Sequence, residues 1–296
     1  MDTVAKIKEL RAGTAKEFWD LLSPEKSLFP QPCQLLYRGQ ANAGWALEPS
    51  LFRRGKNPAA VFGASLPVES DYQVFAEWMF LKQFIEHCDS IGLRIPNDSL
   101  EFRDTYFSQN LPAGPGRSLI NTSLWPPEKL FEVMALAQHC GLPTRLLDWT
   151  RRSYVAAYFA ASDVLAGKGD FKDSEEKRLA VWALDIERKG LFKELQIVAV
   201  PGGSGANLAA QRGLFTLVRQ HGVRGEIFEG TALLDEYLSG QVMCPLVKVS
   251  LLAPEAPAVM DFCAKSVISG ATLFPDYSGA ARATMDDLHS WSQSNR

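Results

Sequence analysis

The chain has 296 residues, of which 46% are hydrophobic and 22% charged, and its formal net charge at pH 7 is -3. This composition excludes disordered and fibrous proteins, and it argues against a protein dedicated to coating nucleic acid. The five cysteines form no CxxC pair and the four histidines no HxxxH pair, so we expect neither a disulfide framework nor a metal. Without a signal peptide or an apolar run of ~20 residues, we expect a cytoplasmic protein with no membrane contact.

The first hundred residues predict a short N-terminal helix and, further along, a long helix. Thr14 and Glu17 form a capping-box pattern in a helical lead-in over residues 1–30. Residues 71–91 carry apolar side chains at helical spacing and predict a long helix, which precedes an irregular, proline-rich insertion at 94–127. The basic pair Arg53 and Arg54 lies in a connecting segment, where we expect both side chains to be solvated.

A charged residue follows the first apolar run. Residues 34–37 predict a buried strand that delivers Arg38 to its end, beside Gly39 and Gln40. An arginine there can hold a phosphate or carboxylate with its planar guanidinium, and a glycine lets a ligand approach the backbone. An ion pair of Arg38 with a core carboxylate such as Asp148 explains the pattern equally well.

The stretch 136–161 places polar side chains between two helical patterns. A helix over residues 128–139 stops near Gly141, and an alanine-rich helix begins near Tyr154. The connector between them holds an arginine, an aspartate, a tryptophan and two threonines, which solvated loops seldom combine. We therefore interpret it as an active-site wall or as an unusually polar buried junction.

The second half of the chain predicts strands more often than βαβ alternation. Apolar runs at 179–186, 214–218 and 245–252 predict strands, residues 271–275 a last short strand, and residues 280–291 a helix. We expect an α+β fold organised as one unit over 1–296. It has core strands and helices at 31–252 and a C-terminal segment at 253–296.

Several of these motifs resemble the FRG domain family, which is named for a Phe-Arg-Gly motif. The resemblance covers nearly the whole chain, although Tyr37 replaces the phenylalanine and Cys140 stands where an aromatic residue is expected. It rests on Tyr37-Arg38-Gly39-Gln40, the WALEPSLFRR run at 45–54, the AQHCGLPTRLLDWT block at 137–150, Gln211 with Leu214-Phe215, and ATLFPDYSG at 271–279.

The order of the motifs is similar to that of ADP-ribosyltransferases. The counterparts are Arg38-Gly39 at the end of a strand, Trp149-Thr150 before the alanine-rich helix, and Gln211 at the head of a later strand. That resemblance implies a mixed or antiparallel split sheet with helical N-terminal and inserted segments. It also implies NAD as substrate and mono-ADP-ribosyltransferase activity, as in a bacterial toxin or phage-defence effector. Such an enzyme cleaves the nicotinamide–ribose bond and transfers ADP-ribose to an acceptor.

Site residues follow from the same resemblance. The expected catalytic residues are Arg38, His139, Asp148, Thr150 and Gln211. The expected NAD-binding residues are Tyr37, Arg38, Gly39, Gln40, Arg145, Trp149 and Tyr158. Because glutamine carries no negative charge, Asp148 takes the charge-stabilising role or the activity is weak or absent. His139 is a base, a ribose ligand or a structural residue, and Arg145 either binds the ligand or pairs with Asp148.

Two other functions are also consistent with the sequence. A nucleotide or nucleic-acid binding module without catalysis would use Arg38, Arg145, Arg151 and Arg152 on phosphate. A hydrolase would use His139 with Asp148. For the transferase, the acceptor is a protein, a nucleic acid, a nucleotide or water, and a toxin would have an antidote protein among its partners.

Overall fold

Seven strands form one sheet in the residues that the computed structural model describes, which are 6–29, 33–53, 55–61, 63, 68–108, 121–172, 176–187, 192–202, 206–219, 223–228, 233–239 and 243–294. The strands are β1 (Lys8–Ala12), β2 (Leu35–Gln40), β3 (Leu147–Thr150), β4 (Arg178–Asp185), β5 (Leu195–Val198), β6 (Gly213–Val218) and β7 (Leu246–Leu252). Their order across the sheet is β1-β7-β4-β2-β3-β6-β5. The predicted α+β class is confirmed.

The sheet is mixed and mostly antiparallel. β1 runs parallel to β7, and the other neighbouring strands are antiparallel. β2 pairs with β4 along its whole length, yet it meets β3 through one residue pair, Tyr37 opposite Thr150. The sheet is therefore almost divided between β2 and β3, and the two half-sheets diverge on either side of that pair.

Eleven α-helices surround the sheet within the described ranges. They are α1 (Ala15–Leu21), α2 (Pro58–Val61), α3 (Ser70–Ser90), α4 (Leu100–Phe107), α5 (Phe131–His139), α6 (Ser153–Leu165), α7 (Ala206–Ala210), α8 (Leu234–Ser239), α9 (Ala256–Lys265), α10 (Gly270–Leu273) and α11 (Tyr277–Ser294). Short 3-10 turns lie at Ser50–Phe52, Thr122–Leu124, Glu128–Leu130 and Ala253–Glu255.

The alanine-rich helix α6 packs directly on β2 and β4. Its small side chains, among them Ala156 and Ala160, are fully buried and let the helix approach the sheet closely. A Cβ on Gly39 would lie 2.0 Å from the Ala156 carbonyl oxygen, so only glycine fits at this point of β2. The sequence interpretation assigned this glycine to ligand approach, whereas the contact shows that helix packing requires it.

The predicted helix cap at Thr14 is confirmed, and a strand that was not predicted precedes it. The Thr14 hydroxyl accepts a hydrogen bond from the Glu17 amide and caps α1, while the Glu17 carboxylate accepts from the Gly13 amide. Strand β1 precedes this helix and joins the sheet edge beside β7, which the lead-in pattern did not predict.

Other expectations need correction. Residues 147–150, interpreted as part of a connector, form strand β3. Residues 270–273 are helical rather than extended, because the Ser269 hydroxyl and the Thr272 side chain form a capping box. Strand β5 and helix α7 were not predicted. Within the 94–127 insertion the chain forms α4, and residues 109–120 lie outside the described part.

Candidate active-site cleft between β2 and β3

A cleft with a volume of about 600 Å³ lies at the point where β2 and β3 diverge. That volume is within the ~300–1,000 Å³ typical of small-molecule sites. Strands β2, β3 and β6 contribute to its walls, together with α5, α6 and the segment that follows β2. Eight of the predicted site residues line it: Tyr37, Arg38, Gly39, His139, Asp148, Trp149, Thr150 and Gln211.

Arg38 and Asp148 bridge the gap between the two strands. The Arg38 side chain is 10% exposed, and its Nη1 lies 2.7 Å from Oδ2 of Asp148. The same Nη1 donates a hydrogen bond of 2.8 Å to the Asp148 backbone carbonyl. Asp148 presents its carboxylate to the cleft, with 64% of its side-chain surface accessible. A charged pair thus stands where the backbone ladder is interrupted.

The charge of Asp148 is set by this arginine. The dense protein surroundings raise the pKa of the carboxyl group, but the positive charge of Arg38 and its hydrogen bond outweigh them. The pKa of Asp148 therefore lies below its ordinary value. Asp148 is ionised at neutral pH and gives the cleft a fixed negative charge.

Thr150 and Gln211 also line the cleft and contact each other. The Thr150 hydroxyl donates to the Gln211 carbonyl at 2.7 Å and accepts from the Arg152 amide at 3.1 Å. The Gln211 side-chain nitrogen donates to the Leu273 backbone carbonyl at 3.1 Å. This bond fixes the orientation of the Gln211 side-chain amide, including its oxygen. Because Gln211 lies two residues before β6, the sheet order β2-β3-β6 brings all three predicted motifs together.

Three further predicted residues form parts of the wall. His139 ends α5, and its Nε2 lies 3.3 Å from the side-chain amide nitrogen of Asn207. Trp149 donates from its indole nitrogen to the Thr216 hydroxyl at 2.9 Å, which fixes the ring. Burial, followed by the nearby Cys33, raises the pKa of Tyr37 to about 12, so its phenol is protonated at neutral pH and can donate a hydrogen bond.

Arg145 does not line the cleft. It is buried and makes an ion pair with Glu77 of α3, through Nε at 2.7 Å and Nη2 at 2.5 Å. Glu77 also accepts from the indole nitrogen of Trp125 at 2.9 Å and the side chain of Gln73 at 2.9 Å. The expected alternative of a pair with Asp148 is wrong, because Arg38 holds that carboxylate. Arg145 anchors α3 to the segment before β3.

Tyr158 and Gln40 also point away from the cleft. The Tyr158 hydroxyl donates to the buried carboxylate of Asp286 at 2.5 Å, which ties α6 to α11. Gln40 donates to the Ala46 carbonyl at 3.0 Å and accepts from the Trp182 indole at 2.7 Å. Both side chains use their polar atoms inside the protein, so each contact stabilises the fold around the site.

The sequence interpretation missed cations and aromatic rings in the walls. Arg53 and Lys56, from the segment after β2, line the cleft. Arg53 is exposed, as expected, and its charge also acts on that of Arg38. Arg54 lies outside the described residues. Phe159 and Phe274 line the cleft with ring centres 6.0 Å apart, edge to face. The basic pair after an apolar run was the signal available for Arg53.

The described residues contain neither a metal-binding cluster nor a membrane-spanning helix. No cluster of three or more His, Cys, Asp or Glu side chains suited to hold a metal ion occurs among them. No described helix has the length and apolar character needed to cross a membrane.

Comparison with known proteins gives one family. The FRG domain model matches residues 101–168, a stretch that contains α5, β3 and α6 and therefore His139, Asp148 and Thr150. Arg38 and Gln211 lie outside the matched stretch. No curated protein and no solved structure matches the chain. The predicted resemblance to the FRG domain family is confirmed over residues 101–168, which are less than half of the chain.

Proposed function

We propose that this protein, which matches the FRG domain over residues 101–168, is an NAD-consuming enzyme of the ADP-ribosyltransferase class. The observation that carries the proposal is the convergence of three separate motifs on one cleft. Arg38 and Asp148 pair across the divided strands, and Thr150 contacts Gln211 beside them. These are the groups that such a reaction needs: a cation for the diphosphate, hydrogen-bonding groups for the ribose and a carboxylate for developing positive charge.

The reaction would break the glycosidic bond between the nicotinamide nitrogen and ribose C1. The bonding electron pair leaves with nicotinamide, which becomes neutral, and positive charge develops on the ribose. An acceptor nucleophile then bonds to C1 and loses a proton. In this proposal His139, on the cleft wall, takes that proton, and Arg38 holds the diphosphate while the bond breaks.

Asp148 rather than Gln211 carries the negative charge in this mechanism. Glutamine can accept a hydrogen bond from a ribose hydroxyl, but it cannot offset a full positive charge. Asp148 is ionised at neutral pH and accessible from the cleft. A carboxylate held beside the ribose would stabilise the oxocarbenium-like transition state more than the ground state, which is the requirement for catalysis.

The aromatic wall suits the planar rings of a dinucleotide. Phe159 and Phe274 present their rings to the cleft, and Trp149 is fixed by its bond to Thr216. Flat aromatic surfaces bind heteroaromatic rings through stacking and apolar contact. These walls would hold nicotinamide or adenine while the polar groups engage the ribose and diphosphate.

Nicotinamide release tests the proposal. The wild-type protein is incubated with NAD, and free nicotinamide is measured alongside transfer of label to protein, nucleic acid and nucleotide acceptors. We expect Asp148→Asn to lower the release rate about 100-fold or more, because an electrostatic group at a reacting centre typically contributes that much. Asp20→Asn is the matched control, since Asp20 is an exposed aspartate paired with Lys16 outside the cleft.

The outcomes separate activity from binding. Undiminished nicotinamide release by Asp148→Asn would refute the catalytic role of Asp148. Failure of the wild-type protein to bind either NAD or ADP-ribose would refute the proposal as a whole. Binding of NAD without nicotinamide release would favour the second candidate, a nucleotide-binding module, which the three cations Arg38, Arg53 and Lys56 in the cleft support.

A role as a toxin or phage-defence effector acting in the cytoplasm belongs to the same proposal. NAD consumption harms the cell in which it occurs, so an antidote protein would be an expected partner. Expression of the wild-type chain and of Asp148→Asn in growing cells provides the first check. Growth arrest by the wild-type chain that Asp148→Asn abolishes would link the cleft to toxicity.

A further inference from the structure

The guanidinium of Arg38 is only partly used by its protein partners. Its Nη1 makes both contacts to Asp148, one with the carboxylate and one with the backbone carbonyl. Its Nε is buried and has no hydrogen-bond partner among the described residues. A buried guanidinium nitrogen without a partner is costly, because its desolvation is not compensated. A further acceptor placed against this nitrogen would offset that cost.

Arg53 brings a second positive charge to the cleft, close enough to act on Arg38. Its Nε and Nη2 donate to the Glu48 backbone carbonyl at 3.3 and 3.1 Å, a contact that neutralises no charge. Burial and then the charge of Arg38 lower the pKa of Arg53, while Asp148 acts in the opposite sense. The guanidinium remains charged at neutral pH. Arg38 and Arg53 thus bring two positive charges close to Asp148, and the Glu48 carboxylate also acts on Arg53.

We propose that Arg38 and Arg53 form a two-arginine site for a diphosphate, and that the carboxylate of Asp148 competes with the ligand for this site. The proposal rests on the proposed function, since it names the part of the dinucleotide that the cations hold. It adds Arg53 as a binding residue that no motif assigned, and it gives Asp148 a second role. A diphosphate offers several acceptor oxygens, enough for the free donors of both arginines.

Competition for Arg38 also links binding to catalysis. Asp148 is accessible from the cleft, so its side chain can leave Arg38 when phosphate oxygens replace it. The freed carboxylate then faces the sugar attached to the same diphosphate. Ligands without a diphosphate would leave Asp148 on Arg38, and the carboxylate would not reach its catalytic position.

Pyrophosphate binding tests the competition without any NAD chemistry. Inorganic pyrophosphate is titrated into the full chain in a calorimeter, with wild type, Asp148→Asn and Arg53→Gln. We expect Asp148→Asn to bind about three- to tenfold more tightly, the range expected when a partly exposed ion pair no longer competes. We expect Arg53→Gln to bind about tenfold more weakly, because a charge-assisted hydrogen bond is lost.

Matched controls are available on the surface. Asp20→Asn and Arg224→Gln each alter an exposed, ion-paired side chain outside the cleft and should leave pyrophosphate affinity unchanged. Both cleft variants replace side chains that face solvent or the cleft, so folding should persist, and their melting temperatures are measured in parallel. Equal affinity of wild type and Asp148→Asn would overturn the competition, and equal affinity of wild type and Arg53→Gln would overturn the role of Arg53.

ADP-ribose and NAD form the second arm of the experiment. If the diphosphate belongs to a dinucleotide, both ligands bind more tightly than pyrophosphate and show the same ranking of variants. If free diphosphate is the natural ligand, neither nucleoside adds affinity, which would overturn the proposed dinucleotide. Both outcomes are measured by binding alone, without nicotinamide release. Failure of the two-arginine site can therefore be distinguished from failure of the proposed reaction.

Discussion

Gly39→Ala is the substitution whose effect follows most directly from the geometry. An added Cβ would lie 2.0 Å from the Ala156 carbonyl oxygen and 2.8 Å from the Ala160 amide nitrogen. Both atoms belong to the backbone of α6, which cannot move as a single side chain would. The helix must shift away from β2 by roughly 1 Å, and the close packing of the buried alanines transmits that shift. One methyl group therefore disturbs the main helix–sheet contact behind the cleft.

The expected loss of stability is about 3 kcal/mol. Overpacking in a protein core costs typically ~1–3 kcal/mol, and a clash with helix backbone belongs at the upper end of that range. For a domain of this size, 1 kcal/mol corresponds to a shift of about 2–4 °C in melting temperature. We therefore expect the melting temperature of Gly39→Ala to fall by about 6–12 °C.

Thermal unfolding monitored by circular dichroism measures this change, with Gly13→Ala as control. A Cβ on Gly13 would meet only Glu17 Oε2 at 3.6 Å, an ordinary contact, so that variant should unfold within a degree or two of wild type, as surface substitutions generally do. If Gly39→Ala melts at the wild-type temperature but loses NAD binding, the glycine serves ligand approach and the packing argument is refuted.

Two further substitutions test the contacts that surround the cleft. Glu77→Ala removes the carboxylate that forms the buried ion pair with Arg145 and should destabilise the protein by about 3–5 kcal/mol in urea unfolding, whereas Glu86→Ala on the exposed face of the same helix should cost under about 1 kcal/mol. Tyr158→Phe removes the hydrogen bond to buried Asp286 and should cost about 1–3 kcal/mol without changing NAD affinity. Exposed Tyr277→Phe is its control, and an equal loss of stability in both variants would contradict the assigned bond.

Local sequence signals predicted those elements whose cause is local. The cap of α1 depends on Thr14 and Glu17, three residues apart, and β4 is a continuous apolar run that is buried on both faces. β3 was hidden because four residues with an aspartate among them carry no clear period. The helix at 270–273 was misread because its capping bonds, rather than its apolar residues, decide its conformation.

For the candidate site, the sequence predicted which residues line the cleft more successfully than it predicted which residues contact one another. The motifs named Arg38, Asp148, Thr150 and Gln211, and the sheet order brings all four to one cleft. The partner of Arg145 is 68 residues away in sequence, on a helix whose apolar stripe gave no sign of a buried carboxylate.

Long-range contacts of this kind depend on how α3 packs, and no periodicity encodes that packing. Tyr158 shows the same limit, because Asp286 lies 128 residues further along the chain. Arg53 was overlooked since an arginine pair after an apolar run has the same appearance in a solvated loop as in a cleft wall.

The Nη1 of Arg38 has a consequence for the continuity of the sheet. It donates to the backbone carbonyl of Asp148, an acceptor that a neighbouring strand amide would otherwise satisfy. The Arg38 side chain thus replaces a backbone hydrogen bond at the point where β2 and β3 separate, next to the Tyr37–Thr150 pair. Any ligand that draws the guanidinium toward itself weakens the link between the two half-sheets. Occupancy of the cleft should therefore change amide hydrogen exchange along the whole of β2 and β3, including strand residues that do not line the cleft.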